Sequence, residues 1–315
     1  MKYHFIGIKG SGMSALAMIM HNLGNEVQGS DVTHHLFTED ALVANNIKIL
    51  PFDEANISGD MIVVIGNGFD ETNCEVKKTL ELKVKHYTYC ELLGELVKTY
   101  NSTAICGCHG KTTTTALLSH VFDDLVGANY LIGDGTGHAS NSNEYFFLEA
   151  CEYKRHFLHY YPKHIILTNI ELDHVDYYKD LDDMKNAYEE FLRQCDSYVI
   201  ACGDDENVRS LSTDKELIYY GFNENNEWTI KNEKLDETGS SFDVYHNNNF
   251  IGHFDLPLYG HHMVLDALAV IVFSYLQGLN VNDIADSIKT FKGAKRRFKE
   301  KKIGNVITID DYAHH

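Results

Sequence analysis

The segment GCHGKTTTT at residues 107–115 restricts the fold of this chain more than any other part of the sequence. Residues 102–108 read as an apolar strand that enters a glycine turn, and residues 112–122 read as a helix that leaves it. In such a turn the backbone N–H groups enclose phosphate oxygens, Lys111 adds a positive charge, and the Thr112 hydroxyl can reach magnesium. The helix N-terminus adds its dipole. The pattern predicts a triphosphate-binding loop made of Gly107, Cys108, His109, Gly110, Lys111, Thr112 and Thr113.

This loop is shorter than the common GxxxxGK[ST] pattern, which places a glycine where Ile105 stands. A Gly-Lys-Thr sequence also occurs in loops that bind nothing, but the flanking strand and helix favour a phosphate site. A regulatory nucleotide hydrolase is another interpretation. It is disfavoured because no obvious switch-like acidic strand follows at the usual distance.

A second glycine turn lies near the N-terminus, where GSGMSA at residues 10–15 fits the pattern GxGxxA. It follows an apolar strand at 3–8, precedes a helix at 13–23, and is followed by Asp31 near the spacing of a ribose-binding acid. Taken alone, the turn predicts an NAD-dependent oxidoreductase. A sheet-packing turn without a ligand is the less favoured alternative, and the motif does not identify the nucleotide.

Two further candidates follow predicted strands of the second half. Glu149 ends a strand at 145–150, and His174 lies in the segment 168–176 that follows a strand at 164–170. Side chains at the carboxyl ends of parallel strands meet on the ligand side of a sheet. A carboxylate oxygen and an imidazole nitrogen are both metal ligands. We predict magnesium ligands at Thr112, Glu149 and His174. The alternative is that the acidic residues are solvated loop charges and that His174 is a hydrogen-bonded structural histidine.

The rhythm of the chain alternates strands and helices, which predicts parallel, helix-covered sheets and an α/β class. Residues 219–254 differ, because polar and apolar residues alternate between turns, as in antiparallel strands. Helices are predicted at 181–195, 261–276 and 282–291, the last capped by Asn282 or Asp283. Residues 304–311 then read as a strand.

Composition excludes several partners. The net charge of −19, from 27 basic and 46 acidic residues, opposes binding to nucleic acid and to anionic membranes. The sequence contains no run of about eighteen apolar residues, which would be needed to suggest membrane insertion. The seven cysteines contain no CxxC pair, which favours reduced thiols and a cytoplasmic location. Cys106, Cys108 and His109 resemble a partial metal site, but no second cluster completes four ligands.

Several motifs taken together resemble the Mur ligase family: FIGIKGSGMSALA (5–17), GSD (29–31), GCHGKTTTT (107–115), EACEYKRHFL (149–158), TNIELDHVDYY (168–178), YGHHMVLDALAV (259–270), KRRF (295–298) and DDYAHH (310–315). The resemblance implies an α/β fold with an N-terminal Rossmann-like parallel-sheet domain at 1–100. It also implies a central P-loop ATPase α/β domain with a small antiparallel strand region at 101–294, and the start of a C-terminal domain at 295–315.

The resemblance further implies ATP-dependent ligation with Mg²⁺ through an acyl phosphate, in which Lys111, Glu149 and His174 are catalytic. The order and spacing of the motifs are most similar to members that join L-alanine to UDP-N-acetylmuramate, although murein-peptide ligases of cell-wall recycling share most of them. The implied substrate-binding residues are Gly10, Ser11, Gly12, Met13 and Ser14 at the UDP diphosphate, and Ser30 and Asp31 near the uridine. The implied nucleotide-binding residues are His262 and Asp266 at adenine, Arg296 or Arg297 at a phosphate or carboxylate, and Asp311 and His314 at the nucleotide.

The chain departs from the family pattern at a few positions. Asparagines are expected where Met263 and Asp266 stand, and an aspartate lacks the amide donors of asparagine. Cys108 stands where threonine is common, and Cys151 where aspartate is common, which raises the hypothesis of a redox-sensitive loop. A complete family member is expected to continue beyond residue 315. We therefore expect this chain to bind ATP or a UDP-sugar with little ligation, and a non-catalytic binding module is the alternative.

Overall fold

The computed structural model describes residues 1–295, 299–303 and 306–310. The chain divides into two compact units. The first contains Met1–Ser102, Ala128–Phe146 and His159–Tyr161, and the second contains Thr103–Gly127, Phe147–Leu158 and Pro162–His315. The domain limits given above stay a prediction.

Strands and helices alternate through most of the chain. The strands are β1 (Lys2–Ile6), β2 (Glu26–Ser30), β3 (Lys48–Leu50), β4 (Ile62–Ile65), β5 (His86–Thr88), β6 (Asn101–Cys106), β7 (Ala128–Leu131), β8 (Gly137–His138), β9 (Tyr145–Glu149), β10 (His164–Leu167), β11 (Tyr198–Cys202), β12 (Glu216–Gly221), β13 (Trp228–Asp236), β14 (Gly239–His246), β15 (Asn249–Leu256), β16 (Lys299–Ile303) and β17 (Val306–Asp310). The helices are α1 (Ser11–Asn22), α2 (Glu39–Ala44), α3 (Cys74–Glu81), α4 (Tyr89–Val97), α5 (Lys111–Leu125), α6 (Leu181–Arg193), α7 (Glu206–Arg209), α8 (His261–Leu276) and α9 (Val281–Ile288).

The first unit is built on a parallel sheet in the order β3-β2-β1-β4-β5. The central strands are short apolar runs, such as IVVI in β4, because parallel strands are covered on both faces. The hairpin of β7 and β8 also belongs to this unit and packs on α1. A Cβ atom on Gly137 would overlap the backbone of Ala15, so this contact requires glycine. The predicted parallel sheet is confirmed.

The second unit contains the strand order β15-β14-β13-β12-β11-β10-β6-β9. Pairing is parallel from β6 through β10, β11 and β12 to β13, and antiparallel from β13 to β15. Helices α5 and α8 pack together. The rings of Phe122, Phe147 and Phe273 meet there, with centroids 4.8 to 5.9 Å apart. The predicted α/β fold with an antiparallel region is confirmed.

Some predicted boundaries are wrong in detail. Helix α9 is capped by Asn280, whose side chain accepts a hydrogen bond from the Asn282 N–H at 2.9 Å, and not by Asn282 or Asp283. The predicted strand at 304–311 is β17, which pairs antiparallel with the unpredicted strand β16. Within the described ranges, no helix combines the length and the apolar character needed to cross a membrane.

Candidate nucleotide and substrate sites

The phosphate loop connects β6 to α5, and its backbone requires two glycines. Gly107 has φ of +135° and Gly110 has φ of +83°, both in the region that favours glycine. A Cβ atom on Gly107 would overlap the Thr168 hydroxyl, and one on Gly110 would lie 2.5 Å from Asp266 Oδ1. The loop is therefore closely packed from behind, which leaves its N–H groups in one fixed arrangement at the start of α5.

The segment that follows β10 holds this loop in place. The Thr168 hydroxyl donates to the His109 carbonyl at 2.6 Å, and the Asn169 side chain pairs with both the N–H and the carbonyl of His109 at 2.8 and 3.0 Å. The Cys108 N–H donates to the Asn169 carbonyl at 3.1 Å. Glu171 pairs with the His109 ring at 2.8 Å on the exposed side. This part of the TNIELDH motif thus has a positioning role that the sequence did not reveal.

Lys111 and His174 both contact the carboxylate of Glu152, a residue that was not predicted from the sequence. Lys111 Nζ lies 3.1 Å from Glu152 Oε2, and His174 Nε2 lies 3.2 Å from Glu152 Oε1. The Glu152 side chain is only 2% exposed and that of Lys111 only 13%. Lys111 also donates to the carbonyls of Gly107 and Cys108 at 2.6 and 3.2 Å. Glu152 therefore connects the phosphate loop to the histidine after β10.

The electrostatics of this group keep Lys111 and Glu152 charged. Burial alone would lower the pKa of Lys111, but Glu152 and then Glu149 raise it above its ordinary value. Burial would raise the pKa of Glu152, yet Lys111 and His174 hold it below the usual range. The hydrogen bond that His174 donates to Glu152 raises the pKa of His174. The result is a buried carboxylate that pairs with the Lys111 ammonium and accepts a hydrogen bond from the His174 ring.

The predicted magnesium ligands fall into two neighbouring contacts of the second unit. The Thr112 hydroxyl donates to Glu149 Oε2 at 2.8 Å, where Glu149 ends β9. His174, whose φ is +53°, belongs to a group with Glu152 and Asp173 whose potential ligand atoms lie within 4.8 Å of one another. Hard carboxylate and hydroxyl oxygens with an imidazole nearby suit a divalent cation such as Mg²⁺. The residues present therefore fit the ion that the resemblance implies.

Of the predicted adenine residues, His262 is exposed at the start of α8, whereas Asp266 is 7% exposed and faces Gly110. Partial burial and His261 hold the pKa of His262 below its ordinary value. Other predicted nucleotide-binding residues, Arg296 or Arg297, Asp311 and His314, lie outside the described residues.

Cys108 is a buried thiol with no sign of unusual reactivity. Burial raises its pKa to about 11, so it stays protonated near neutral pH. Its Sγ atom faces the backbone of Glu171 at 3.1 and 3.3 Å. In the described part of the chain, the cluster able to hold a metal is the one around Glu152, and Cys106, Cys108 and His109 do not form another. The geometry gives no support to the redox hypothesis.

In the first unit, Asp31 shapes the N-terminal glycine turn. Its carboxylate accepts the Lys9 N–H at 2.7 Å, and the Thr38 hydroxyl donates to the Lys9 carbonyl at 2.5 Å. The Lys9 ammonium points away into an ion pair with Glu39 at 2.6 Å. The positive charge beside the turn is thereby already neutralised. The start of α1 presents backbone N–H groups and its dipole to any anion.

The predicted substrate-binding residues of the turn differ in exposure. Gly10 is exposed, Ser11 and Gly12 are half-buried, and Met13 and Ser14 are buried. The Ser14 hydroxyl donates to the Ser11 carbonyl at 3.0 Å. A Cβ atom on Gly12 would lie 2.8 Å from the Tyr89 ring, so this position needs glycine. Contact of these residues with a substrate stays a prediction.

Ser30 is fully buried in a polar cluster that the sequence did not indicate. Its hydroxyl donates to Glu75, which also contacts His4 Nε2 at 3.2 Å and the Asn56 amide at 2.7 Å. The Asp53 N–H adds a further hydrogen bond to Glu75 at 3.1 Å. The Ser30 carbonyl in turn accepts the N–H groups of Gly7 and Ile8, which follow β1 and precede the glycine turn. Glu75 therefore fastens the strand end that carries Ser30 and Asp31.

Comparisons with known proteins agree with this arrangement. The profile described as "Mur ligase family, catalytic domain" matches residues 2–101, and that described as "Mur ligase middle domain" matches residues 105–274. Among solved structures, the UDP-N-acetylmuramate-alanine ligase of Thermotoga maritima is 27% identical with a TM-score of 0.87, over 100% of this chain and 75% of that chain. The UDP-N-acetylmuramate:L-alanyl-gamma-D-glutamyl-meso-diaminopimelate ligase of Neisseria meningitides is 25% identical with a TM-score of 0.82, over 94% of this chain and 99% of that one. A murein peptide ligase from Psychrobacter arcticus is 25% identical with a TM-score of 0.82, over 100% and 73%.

Proposed function

Because the chain belongs to the Mur ligase family of ATP-dependent amide-bond ligases, we propose that it acts in joining L-alanine to UDP-N-acetylmuramate. The observation that carries the proposal is the contact of Lys111 with buried Glu152 beside the Thr112 and Glu149 pair. This arrangement suits the transfer of a phosphoryl group from ATP to a carboxylate. Likeness to the Thermotoga maritima alanine ligase supports the choice of amino acid.

The proposed reaction has two steps. The lactyl carboxylate of UDP-N-acetylmuramate attacks the γ-phosphorus of ATP, ADP leaves, and an acyl phosphate forms. The neutral amine of L-alanine then attacks the acyl carbon, phosphate leaves, and the amide remains. The first step depends mainly on position and on stabilising charge on the transferred group. In this chain the N–H groups at the start of α5 would hold the phosphates, because those of Cys108 and His109 already donate to Asn169. Lys111 would turn from Glu152 to the transferring oxygens.

Thr112, Glu149 and His174 would hold the magnesium ion, which when bound supplies neutralising charge for the phosphate oxygens. Glu152 lies between His174 and Lys111 and would keep both oriented. In the first unit, the N-terminus of α1 at Gly10–Ser14 would receive the diphosphate of the UDP-sugar.

A second candidate is a ligase that adds a preformed peptide in place of L-alanine. Likeness to the Neisseria meningitides enzyme, over 99% of that chain, favours it specifically. The two candidates share both steps and differ only in the amine that attacks the acyl phosphate.

Isothermal titration with MgATP, UDP-N-acetylmuramate, UDP and NAD tests the proposal. We expect binding of MgATP and of UDP-N-acetylmuramate. Lys111→Ala should abolish binding of MgATP but not that of UDP-N-acetylmuramate. Lys98→Ala, which removes an exposed lysine paired with Glu95, should leave both affinities unchanged. Binding of NAD without binding of either uridine ligand would replace the proposal with an oxidoreductase.

Release of phosphate, measured at high protein concentration because little ligation is expected, then separates the two candidates. With MgATP and UDP-N-acetylmuramate present, stimulation by L-alanine supports the first candidate. Stimulation by L-alanyl-γ-D-glutamyl-meso-diaminopimelate, with none by L-alanine, supports the second.

A further inference from the structure

Asp266 is a buried acid placed directly behind the phosphate loop. It lies on α8, and its carboxylate faces Gly110, the residue that precedes α5. Two other polar groups interact with it, the Thr114 hydroxyl from α5 and the Tyr220 phenol from β12. Burial raises the pKa of Asp266 to about 8, although Thr114 opposes this rise.

Among the described residues, the groups that face Asp266 do not balance a negative charge. Burial raises the pKa of Tyr220 well above its ordinary value, so the phenol is neutral. His262, one turn earlier on α8, has a lowered pKa and is neutral above pH 7. The nearest loop cation, Lys111, is directed to Glu152. The carboxylate form of Asp266 would therefore lie behind an anion-binding loop without a cation of its own.

We propose that binding of a triphosphate to this loop is coupled to protonation of Asp266, so that the neutral acid permits binding and the carboxylate opposes it. This inference rests on the proposed function of the loop as the ATP site. Asparagine has nearly the same shape as the neutral acid but has no charge to gain. The aspartate therefore adds a dependence on pH that an asparagine at this position would not have.

The size of the effect follows from linkage. If the bound phosphates raise the pKa of Asp266 by one unit, the affinity falls by about tenfold as pH rises past both pKa values. The Cys108 thiol and the Lys111 ammonium of the loop titrate at higher pH, since the pKa of Cys108 is about 11 and that of Lys111 is above its ordinary value. The MgATP complex in solution also keeps a constant charge above neutral pH.

The test is isothermal titration of MgATP at about pH 7.5 and at about pH 9.5. With a pKa of about 8 in the free protein and about 9 in the complex, the wild-type protein should bind about sixfold more weakly at the higher pH, and Asp266→Asn should change by less than about twofold. Asp283→Asn, an exposed acid on α9, is the matched control and should behave like the wild type.

A second measurement does not depend on any variant. Titration of wild-type protein near pH 8 in buffers of different ionisation enthalpy should show net proton uptake on binding of MgATP. Equal wild-type affinity at both pH values, or binding without proton uptake, would overturn the inference while leaving the ATP site intact. Absence of MgATP binding at either pH would instead overturn the proposed function, and the inference with it.

Discussion

Replacing Glu152 with glutamine tests the central contact of the second unit. The substitution keeps the size of the side chain and removes its charge. Lys111 would retain the carbonyls of Gly107 and Cys108 but lose its anionic partner, and His174 would lose the acceptor that raises its pKa. A buried cation without a partner is strongly unfavourable, so the variant should lose stability.

The expected loss follows from burial. Removal of one partner from a buried ion pair costs about 3–5 kcal/mol. Glutamine can still accept one hydrogen bond from Lys111, which places Glu152→Gln near the lower end, about 3 kcal/mol. For a unit of this size, each kcal/mol lowers Tm by about 2–4 °C, so the unit should melt roughly 6–12 °C lower.

Differential scanning calorimetry and urea unfolding measure this change, and the same loop offers a matched control. Glu171 also pairs with a loop residue, His109, at 2.8 Å, but its side chain is 64% exposed. Glu171→Gln should cost less than about 1 kcal/mol, because solvent screens exposed pairs. If the two variants lose equal stability, or Glu152→Gln loses none, the buried pair does not stabilise the unit as argued here.

Two further predictions concern the first unit. Gly12→Val places a branched side chain against the Tyr89 ring, where even a Cβ atom would lie 2.8 Å away, so binding of UDP-N-acetylmuramate should be lost while MgATP still binds. Calorimetric titration with both ligands decides this, and loss of both would indicate general unfolding. Glu75→Gln should destabilise by about 3 kcal/mol at pH 7, since it breaks a fully buried polar cluster. Burial opposes the low pKa of Glu75, but hydrogen bonds from His4, Ser30 and Asn56 hold it below the ordinary value. Its contribution is therefore present above the unfolded pKa and lost as pH falls through the folded one, so urea unfolding should show the difference between wild type and variant narrowing in acid.

The sequence predicted the parts of the fold that depend on local chemistry. Glycines that follow apolar strands predicted both turns, and in the phosphate loop the glycine at 110 is needed because its φ is +83°. The predicted helix at 261–276 matches α8 residue for residue. The segment is apolar through most of its length and is too long for a typical strand, which leaves few alternatives to a helix.

Contacts between distant residues were not predictable in the same way. Glu152 is 41 positions from Lys111, and Glu75 is 45 positions from Ser30. Neither carboxylate interrupts a strand or helix pattern, so nothing local distinguishes it from a solvated acid. The hairpin of β7 and β8 was missed for a related reason. Its strands are short, and it is stabilised by packing on α1 and not by its own alternation.

Each glycine turn lies beside a lysine that a carboxylate already neutralises. Lys9 pairs with Glu39 at 2.6 Å in the first unit, and Lys111 pairs with Glu152 at 3.1 Å in the second. The net charge of −19 also means that the overall field of the chain does not attract anions.

The two turns differ in how an anionic ligand would meet the neighbouring lysine. Lys9 donates to the carbonyls of Val32 and His34, so an anion at the first turn would meet the N–H groups at the start of α1 and not the Lys9 ammonium. Lys111 lies at the loop itself, so a triphosphate competes with Glu152 for it. Removing the charge of Glu152 should then lower the stability of the protein but leave Lys111 available to the nucleotide. MgATP should therefore raise the Tm of Glu152→Gln more than that of the wild type.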